Sequence, residues 1–479
     1  MPHVHLSASG EIEAGFARIR CKLDVPDGFP PDVEAEAAAA HPSPGLGERR
    51  DARDVPLVAI DPAGSTDLDQ ALCLERRADG YRFRYAIADV AAFVAPGGAV
   101  DAEARRRGVT LYSPDGRAPL HPTVLSEHQA SLLPGSDKAA LLWTIDLDEQ
   151  AEPVSWHVER AVVRTRAAIS YAQAQAAIDG GPPVPGDVAG SVALLPEVGR
   201  KRQAREAERG GISLNLPAQR VEEGADGRYR LAFELPLAVE GWNAQLSLLT
   251  GIVAGRTMVE AKVGILRTLP AASPDAVATL RQTALALGLS WPAGQPYPAF
   301  VRRLAGDASP QAAALLIQAA RTLRGAGYAG FDGEVPEQPE HGAIASVYAH
   351  VTAPLRRLVD RFGNEILLAL HAGTRPPAWA LEALDELPSL MGQAGQREST
   401  LERALLDYAE AVVLAPWVGE QFTGTVVDVG RNRAQIQIAE PAVVTSITTG
   451  DGHWHLAQEV GLRLTAADPA NGTIAFTPV

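Results

Sequence analysis

A chain of 479 residues, 46% hydrophobic and 21% charged, has the balance of a folded protein of about two to four domains and excludes a disordered or fibrous class. A net charge of −15 argues against a protein that coats nucleic acid non-specifically, although one positively lined cleft is still compatible with it. No apolar run is long enough to span a bilayer, and the N-terminus MPHVHLSASGEIEAG carries acids where a secretory leader would be basic and then apolar. The two cysteines, Cys21 and Cys73, are too few for a disulfide framework, so a cytoplasmic protein with buried, inert thiols and no membrane association is expected.

In chain order, Ile12, Phe16, Ile19 and Leu23 recur at helical spacing, followed by the turn VPDGFPP and the helix former VEAEAAAA. This predicts a short helix-turn-helix arm over residues 1–50, joined by the polar linker HPSPGLGERRDARDVP to a large domain over residues 51–415. From Leu57 the pattern turns to short strands, LVAI, YRFRYAIADV, LLWTIDLDE and PVSWHVERAVV. After GGPPVPGDVAG helical patterns dominate, interrupted by the strands ISLNLPAQRV and YRLAFELP, and Ala/Leu-rich helices run from Trp242 to about Asp407. The last stretch, residues 416–479, holds five β-type runs, which predict a small OB-type barrel. The whole reads as an α+β protein. Of the basic clusters, Arg105–Arg107 and Arg302–Arg303 read as solvated helix faces, and a third gathers Arg356, Arg357 and Arg361.

The most informative segment is IDPAGSTDLDQAL. A strand delivers Asp61, a Gly/Ser turn follows, and Asp67 and Asp69 arrive two apart. Carboxylates aimed at one point repel unless a divalent cation sits among them, and oxygen-rich sites select Mg²⁺ or Mn²⁺, ions suited to phosphoryl chemistry. On spacing alone, a solvated acidic turn with an Asx cap accounts for the segment equally well. No Walker loop, no G-x-S-x-G elbow and no His/Cys set with zinc spacing offers a competing chemistry.

The run IDPAGSTDLDQAL closely resembles the signature of the ribonuclease II (RNB) family, in which four aspartates surround catalytic Mg²⁺. Further blocks resemble the family's in the same order: AIADVAAFV, then VDAEARRR and TLYSP, QASL, ISY, and YAHVTAPLRRLVD near the other end. The resemblance implies a 3′-to-5′ exoribonuclease that hydrolyses single-stranded RNA to 5′-mononucleotides and acts as a monomer. Carried over by position, Asp61, Asp67 and Asp69 are three of the four metal-holding acids. The fourth place is Gln70, whose amide oxygen can still meet a cation but brings no charge. Arg356 matches the arginine on the scissile phosphate. Arg357 is expected on backbone phosphate or a structural carboxylate, Tyr112 at the 3′-terminal nucleotide, Tyr171 and Phe233 as aromatic contacts to RNA, and Glu402 near the terminal nucleotides. Asp89 stands in reserve.

The family carries two cold-shock barrels ahead of its catalytic domain. About sixty residues before Asp61 cannot hold them, so the short arm is expected to stand in their place and leave the channel mouth more open. A catalytically impaired RNA-binding protein of the same fold is the alternative that Gln70 raises, and a DNA exonuclease or general phosphodiesterase is a third.

Overall fold

The computed structural model describes residues 10–43, 48–214, 218–223, 229–305, 307, 309–430, 432–440, 442–448 and 454–479. Two helices, α1 (Gly10–Lys22) and α2 (Pro31–Ala39), precede the strands β1 (Arg50–Asp51), β2 (Val58–Asp61), β3 (Gln70–Arg77) and β4 (Gly80–Ala88). Helix α3 (Ala99–Arg107) leads into the hairpin β5 (Leu111–Ser113) and β6 (Gly116–Ala118), and then β7 (Lys138–Leu147), β8 (Pro153–Val163) and β9 (Ala167–Ser170) complete the first half. Seven of these strands form one sheet in the order β1-β8-β7-β4-β3-β2-β9, antiparallel in its middle and parallel at both edge pairs.

Side chains alternate across this sheet with the strand period of two. Leu72, Leu74, Phe83 and Trp143 point to one face, where they pack with Leu195 and Leu246 of the helices α5 (Gly186–Arg209) and α6 (Ala238–Ala261), which follow α4 (Tyr171–Ile178). The smaller Ala71, Cys73, Ala86 and Ala161 point to the other face and let Val33, Val90, Leu132 and Leu355 approach closely. With both faces covered, the ends of the central strands are fixed, and β2 and β3 present their connecting loop from a rigid base.

The helical stretch expected from Trp242 to Asp407 is interrupted by a strand pair, β12 (Val263–Thr268) with β13 (Gly327–Asp332), which lies beyond the hairpin β10 (Ala218–Glu223) and β11 (Tyr229–Glu234). Gly330 explains part of this: a Cβ there would lie 2.2 Å from the carbonyl oxygen of Leu384, so only a bare backbone fits. Between them α7 (Pro274–Ala286), α8 (Tyr297–Leu304) and α9 (Pro310–Ala320) enclose their own core around Phe300. After the short pair β14 (Glu340–His341) and β15 (Ser346–Val347) come α10 (Leu358–His371), α11 (Ala378–Glu382) and the long α12 (Leu387–Leu414).

Five antiparallel strands close the chain: β16 (Gln421–Val429), β17 (Arg433–Ile438), β18 (Val443–Thr448), β19 (Glu459–Asp468) and β20 (Thr473–Pro478), in the order β18-β17-β16-β19-β20. They curl into a nearly closed barrel of OB type around Val426, Ile436, Leu462 and Leu464, as the sequence predicts.

The N-terminal helices pack on the elements that follow: Phe16 is fully buried with its ring edge-on to Tyr408 of α12, 5.3 Å between centroids, and Glu36 of α2 accepts the Ala99 N–H at the start of α3 at 2.6 Å. Two further expectations need correction. Arg107 does not sit on a solvated face; it is 5% exposed, donating to Glu103 at 2.7 Å and to the Pro119 carbonyl at 2.9 Å. Cys21 is exposed, whereas Cys73 is buried. Among the described residues, no helix is long and apolar enough to cross a membrane.

Candidate active site

Strand β2 ends at Asp61, and the chain then reverses over Pro62–Ser65, where the Ser65 N–H donates to the Pro62 carbonyl at 3.2 Å. Gly64 makes the reversal possible with φ of 83°, a conformation that costs a side-chain-bearing residue about 1 kcal/mol or more. The return path is held by Ser131, whose hydroxyl donates to the Thr66 carbonyl at 2.7 Å and accepts the Leu68 N–H at 2.9 Å. Asp67 and Asp69 therefore come back beside Asp61, with Leu68 between them buried in the sheet's small-residue core.

The other wall comes from the segment Ala353–Arg357. Buried Asp360, in the first turn of α10, accepts the Ala353 N–H at 3.0 Å and takes the Arg357 guanidinium in a two-pronged grip, at 2.5 and 2.7 Å. That grip fixes the turn, and the turn presents the Leu355 N–H to Asp69 Oδ1 at 2.7 Å and Arg356 Nε to Asp69 Oδ2 at 3.1 Å. Asp61, Asp67, Asp69, Tyr112 and Arg356 line one cleft of about 500 Å³, together with Glu398 and Glu402 of α12.

Of the residues expected to act, the cleft thus gathers six: the three aspartates, Arg356, Tyr112 and Glu402. Gln70 begins β3 beside Asp69 but is buried outside the cleft lining, its Oε1 without a hydrogen-bond partner. Arg357 is committed to Asp360 and does not line the cleft; of the two expected roles it fills the structural one. Tyr171 starts α4 after the Ser170–Gln173 capping box, next to Asp61 through the β2–β9 pairing, with its hydroxyl 3.4 Å from Asn243 Nδ2. Phe233 lies on β11, and its side chain falls outside the described residues. Asp89 is taken up by Arg49 and Arg160, at 2.8 and 2.5 Å, away from the cleft.

Arg117 was not anticipated. It faces Tyr112 across the β5–β6 hairpin, and from there Nη1 lies 2.6 Å from Asp67 Oδ1 while Nη2 reaches Thr66 Oγ1 at 2.6 Å and Glu127 at 2.9 Å. The signal was present in the turn Pro114-Asp115-Gly116, which sets that register. Glu398, one helical turn before Glu402, was missed in the same way.

Burial pushes the Asp61 carboxyl up to about 6, with Asp67 adding to the rise and Arg356 opposing it. Burial likewise pushes Asp69 up to about 8 against the pull of Arg356 and the Leu355 N–H. Burial raises Glu398 and Glu402 as well, and Glu402 raises Glu398 further. The floor of the cleft is thus a set of acids that favour a cation or a proton between them.

As a donor set the site suits a hard divalent ion. All its side-chain donors are oxygens, and the buried Asp61 Oδ2 and Gln70 Oε1 have no hydrogen-bond partner. Among the described residues, however, no three His, Cys, Asp or Glu side chains stand close enough together to hold an ion. Arg117 pairs with Asp67 and Arg356 with Asp69, so each of these acids already has a cationic partner.

The RNB domain family matches residues 49–372, and the RNase II-type exonuclease C-terminal S1 domain matches residues 420–479. Ribonuclease R of Escherichia coli (strain K12) is 27% identical over 465 residues, covering 92% of this chain and 57% of its own; the chain thus spans little more than half of that relative. The fold agrees with that of Mycoplasma genitalium RNase R, solved in complex with ribose-methylated single-stranded RNA, at a TM-score of 0.87, 18% identity and coverage of 98% of this chain and 78% of the other. It also agrees with yeast Ssd1, described as a pseudonuclease, at a TM-score of 0.68 and 16% identity, over 91% of this chain and 55% of the other. With more than half of its length matched by the RNB domain and its barrel by the S1 domain, the chain belongs to the RNB, or ribonuclease II, family.

Proposed function

We propose that the protein is a 3′-to-5′ exoribonuclease that shortens single-stranded RNA by one 5′-mononucleotide at a time. The observation that carries this reading is the 3.1 Å approach of Arg356 to Asp69 in the cleft that Asp61, Asp67 and Tyr112 share.

Nucleases of this family are metal-dependent. Asp61, Asp67 and Asp69 would hold Mg²⁺ or Mn²⁺, which would supply Lewis acidity and lower the pKa of a bound water, while buried Gln70 beside them brings no fourth charge. Arg356 offers a planar fork to two non-bridging oxygens of the scissile phosphate and steadies the charge that grows on them in the transition state. Tyr112, 39% exposed, presents a ring on which a terminal base stacks without regard to its identity. Glu398 and Glu402 accept hydrogen bonds from the terminal ribose hydroxyls and so favour RNA over DNA. Water oxygen bonds to phosphorus, the bond from phosphorus to the 3′ oxygen of the preceding nucleotide breaks, and that oxygen leaves with a proton as the new 3′ hydroxyl.

A second reading, an RNA-binding protein of this fold without hydrolysis, is favoured by Gln70, which stands where the resemblance puts a fourth acid. Incubating 5′-labelled oligo(A) with Mg²⁺ or Mn²⁺ separates the two. A ladder shortening from the 3′ end with mononucleotide release supports the enzyme; tight binding with intact RNA under both ions supports the binding protein. A deoxyribo-oligomer digested equally fast would instead point to a general phosphodiesterase.

A further inference from the structure

The hairpin that carries Tyr112 and Arg117 is a two-residue turn flanked by three-residue strands, and such a short pair is marginal by itself. Its tip is held from outside the catalytic domain. Arg20, in the last turn of α1, donates through Nη1 to Ser113 Oγ at 2.9 Å and pairs with Asp115 at the turn. Ser113 Oγ in turn donates to the Gly116 carbonyl at 3.2 Å, closing the turn on itself.

The same helix also grips α12. Ile12 and Phe16 of α1 are buried with Leu401, Leu405 and Tyr408 of α12, and Gly15 lets Tyr408 approach so closely that a Cβ would fall 2.0 Å from its ring. Since α12 brings Glu398 and Glu402 to the cleft that the hairpin also lines, and packs directly on β5, α1 holds both of these neighbouring elements.

We infer that α1 is a clamp that sets the width of the 3′-terminal nucleotide pocket, with Arg20 as its positioning residue. Arg20 does not line the cleft and acts by holding Tyr112 and Arg117 at their places in the lining that they share with Glu402. This inference rests on the proposed RNA site for its consequence, but its structural half stands on the contacts of Arg20 alone.

The test compares Arg20→Ala, Arg20→Lys, Tyr112→Ala and the Arg20→Ala/Tyr112→Ala double variant in the full chain. Hydrogen exchange of amides 111–118 should accelerate in Arg20→Ala while the sheet amides keep their protection, and Arg20→Lys should restore part of it. With short oligo(A), Arg20→Ala should raise KM about five- to tenfold and leave kcat within about twofold, and the loss should vanish in the Tyr112→Ala background because both act on one contact. Unchanged hairpin exchange, or losses that add in the double variant, would overturn the clamp. Should the wild type release no mononucleotides, the hydrolase reading fails on its own, and the same comparisons of exchange and of oligo(A) binding still decide this one.

Discussion

Arg356 Nε stands 3.1 Å from Asp69 Oδ2 while the N–H of the preceding residue, Leu355, donates to Oδ1 at 2.7 Å, so consecutive residues from the far end of the domain close on one carboxylate. Asp69 is 3% exposed and Arg356 is 44% exposed on its side chain, which leaves the guanidinium edge open to a phosphate. Replacing Asp69 by Asn keeps an acceptor for Leu355 but sets an amide N–H₂ against Arg356 and removes the charge. Mononucleotide release should fall by about 10²–10³ with oligo(A) binding within a few-fold of wild type, as read by product chromatography beside fluorescence anisotropy. Arg356→Lys should lose about as much as Arg356→Ala, because a point charge does not reproduce the fork. Full activity in either variant would remove the pair from the chemistry.

The raised Asp61 carboxyl makes stability depend on pH. Its folded value, about 6, lies above the 3.8 of the free side chain because burial disfavours the charged form. The fold therefore binds the proton more tightly than the unfolded chain does. That stabilisation is complete below about pH 4 and is lost as pH rises through about 6, at most about 3 kcal/mol for a shift of this size. Asp61→Asn stays neutral and escapes the loss. In metal-free buffer its thermal midpoint should match wild type near pH 4 and exceed it by a few degrees at pH 8. Added Mg²⁺ should raise the wild-type midpoint at pH 8 and leave the variant's where it was. A wild type more stable than the variant at pH 8 without metal would contradict this account.

What was legible in the sequence was local. Asp61, Asp67 and Asp69 lie within one strand-turn-strand unit, so their convergence follows from a glycine turn and a spacing of two, and the barrel follows from five alternating runs. Arg356 was reached only through resemblance, since nothing near it in the chain announces Asp69. Arg357 shows why adjacency misleads: the turn that aims Arg356 at the acids sends its neighbour toward Asp360. Arg117 depends on hairpin register, and the docking of α1 depends on Phe16 meeting Tyr408, two residues on different helices far apart in the chain. The β12–β13 pair was hidden because its strands sit among Ala/Leu-rich helices and carry glycines that propensity reads as breaks.

Gln70 offers a substitution with opposite effects in two conditions. Its side chain is 8% exposed and Oε1 has no hydrogen-bond partner, so Gln70→Asp buries a carboxylate one residue from Asp69. Without a divalent ion that charge costs about 1–3 kcal/mol, seen as a lower thermal midpoint in chelator. With Mg²⁺ the added acid completes an oxygen cage, and the midpoint should recover while hydrolysis equals or exceeds wild type. A variant destabilised equally with and without the ion would mean that position 70 does not face the metal.

Arg117 holds Asp67 at 2.6 Å with only 23% of its side chain exposed, and the same guanidinium reaches Thr66 and Glu127. A divalent ion at the acids must share Asp67 with that cation, so Arg117 and the metal compete for one carboxylate. Arg117→Ala should therefore tighten Mn²⁺ binding several-fold in a direct titration of the RNA-free protein, about 1 kcal/mol. The same change removes a positive group from the cleft, so affinity for oligo(A) should drop about tenfold and the salt dependence of binding should flatten by about 0.7 in logarithmic slope, the loss of one phosphate contact on a single strand. The two effects run in opposite directions. A merely structural arginine would weaken both, and weaker Mn²⁺ binding in Arg117→Ala would show that Asp67 relies on Arg117 for its position instead of contending with it for the ion.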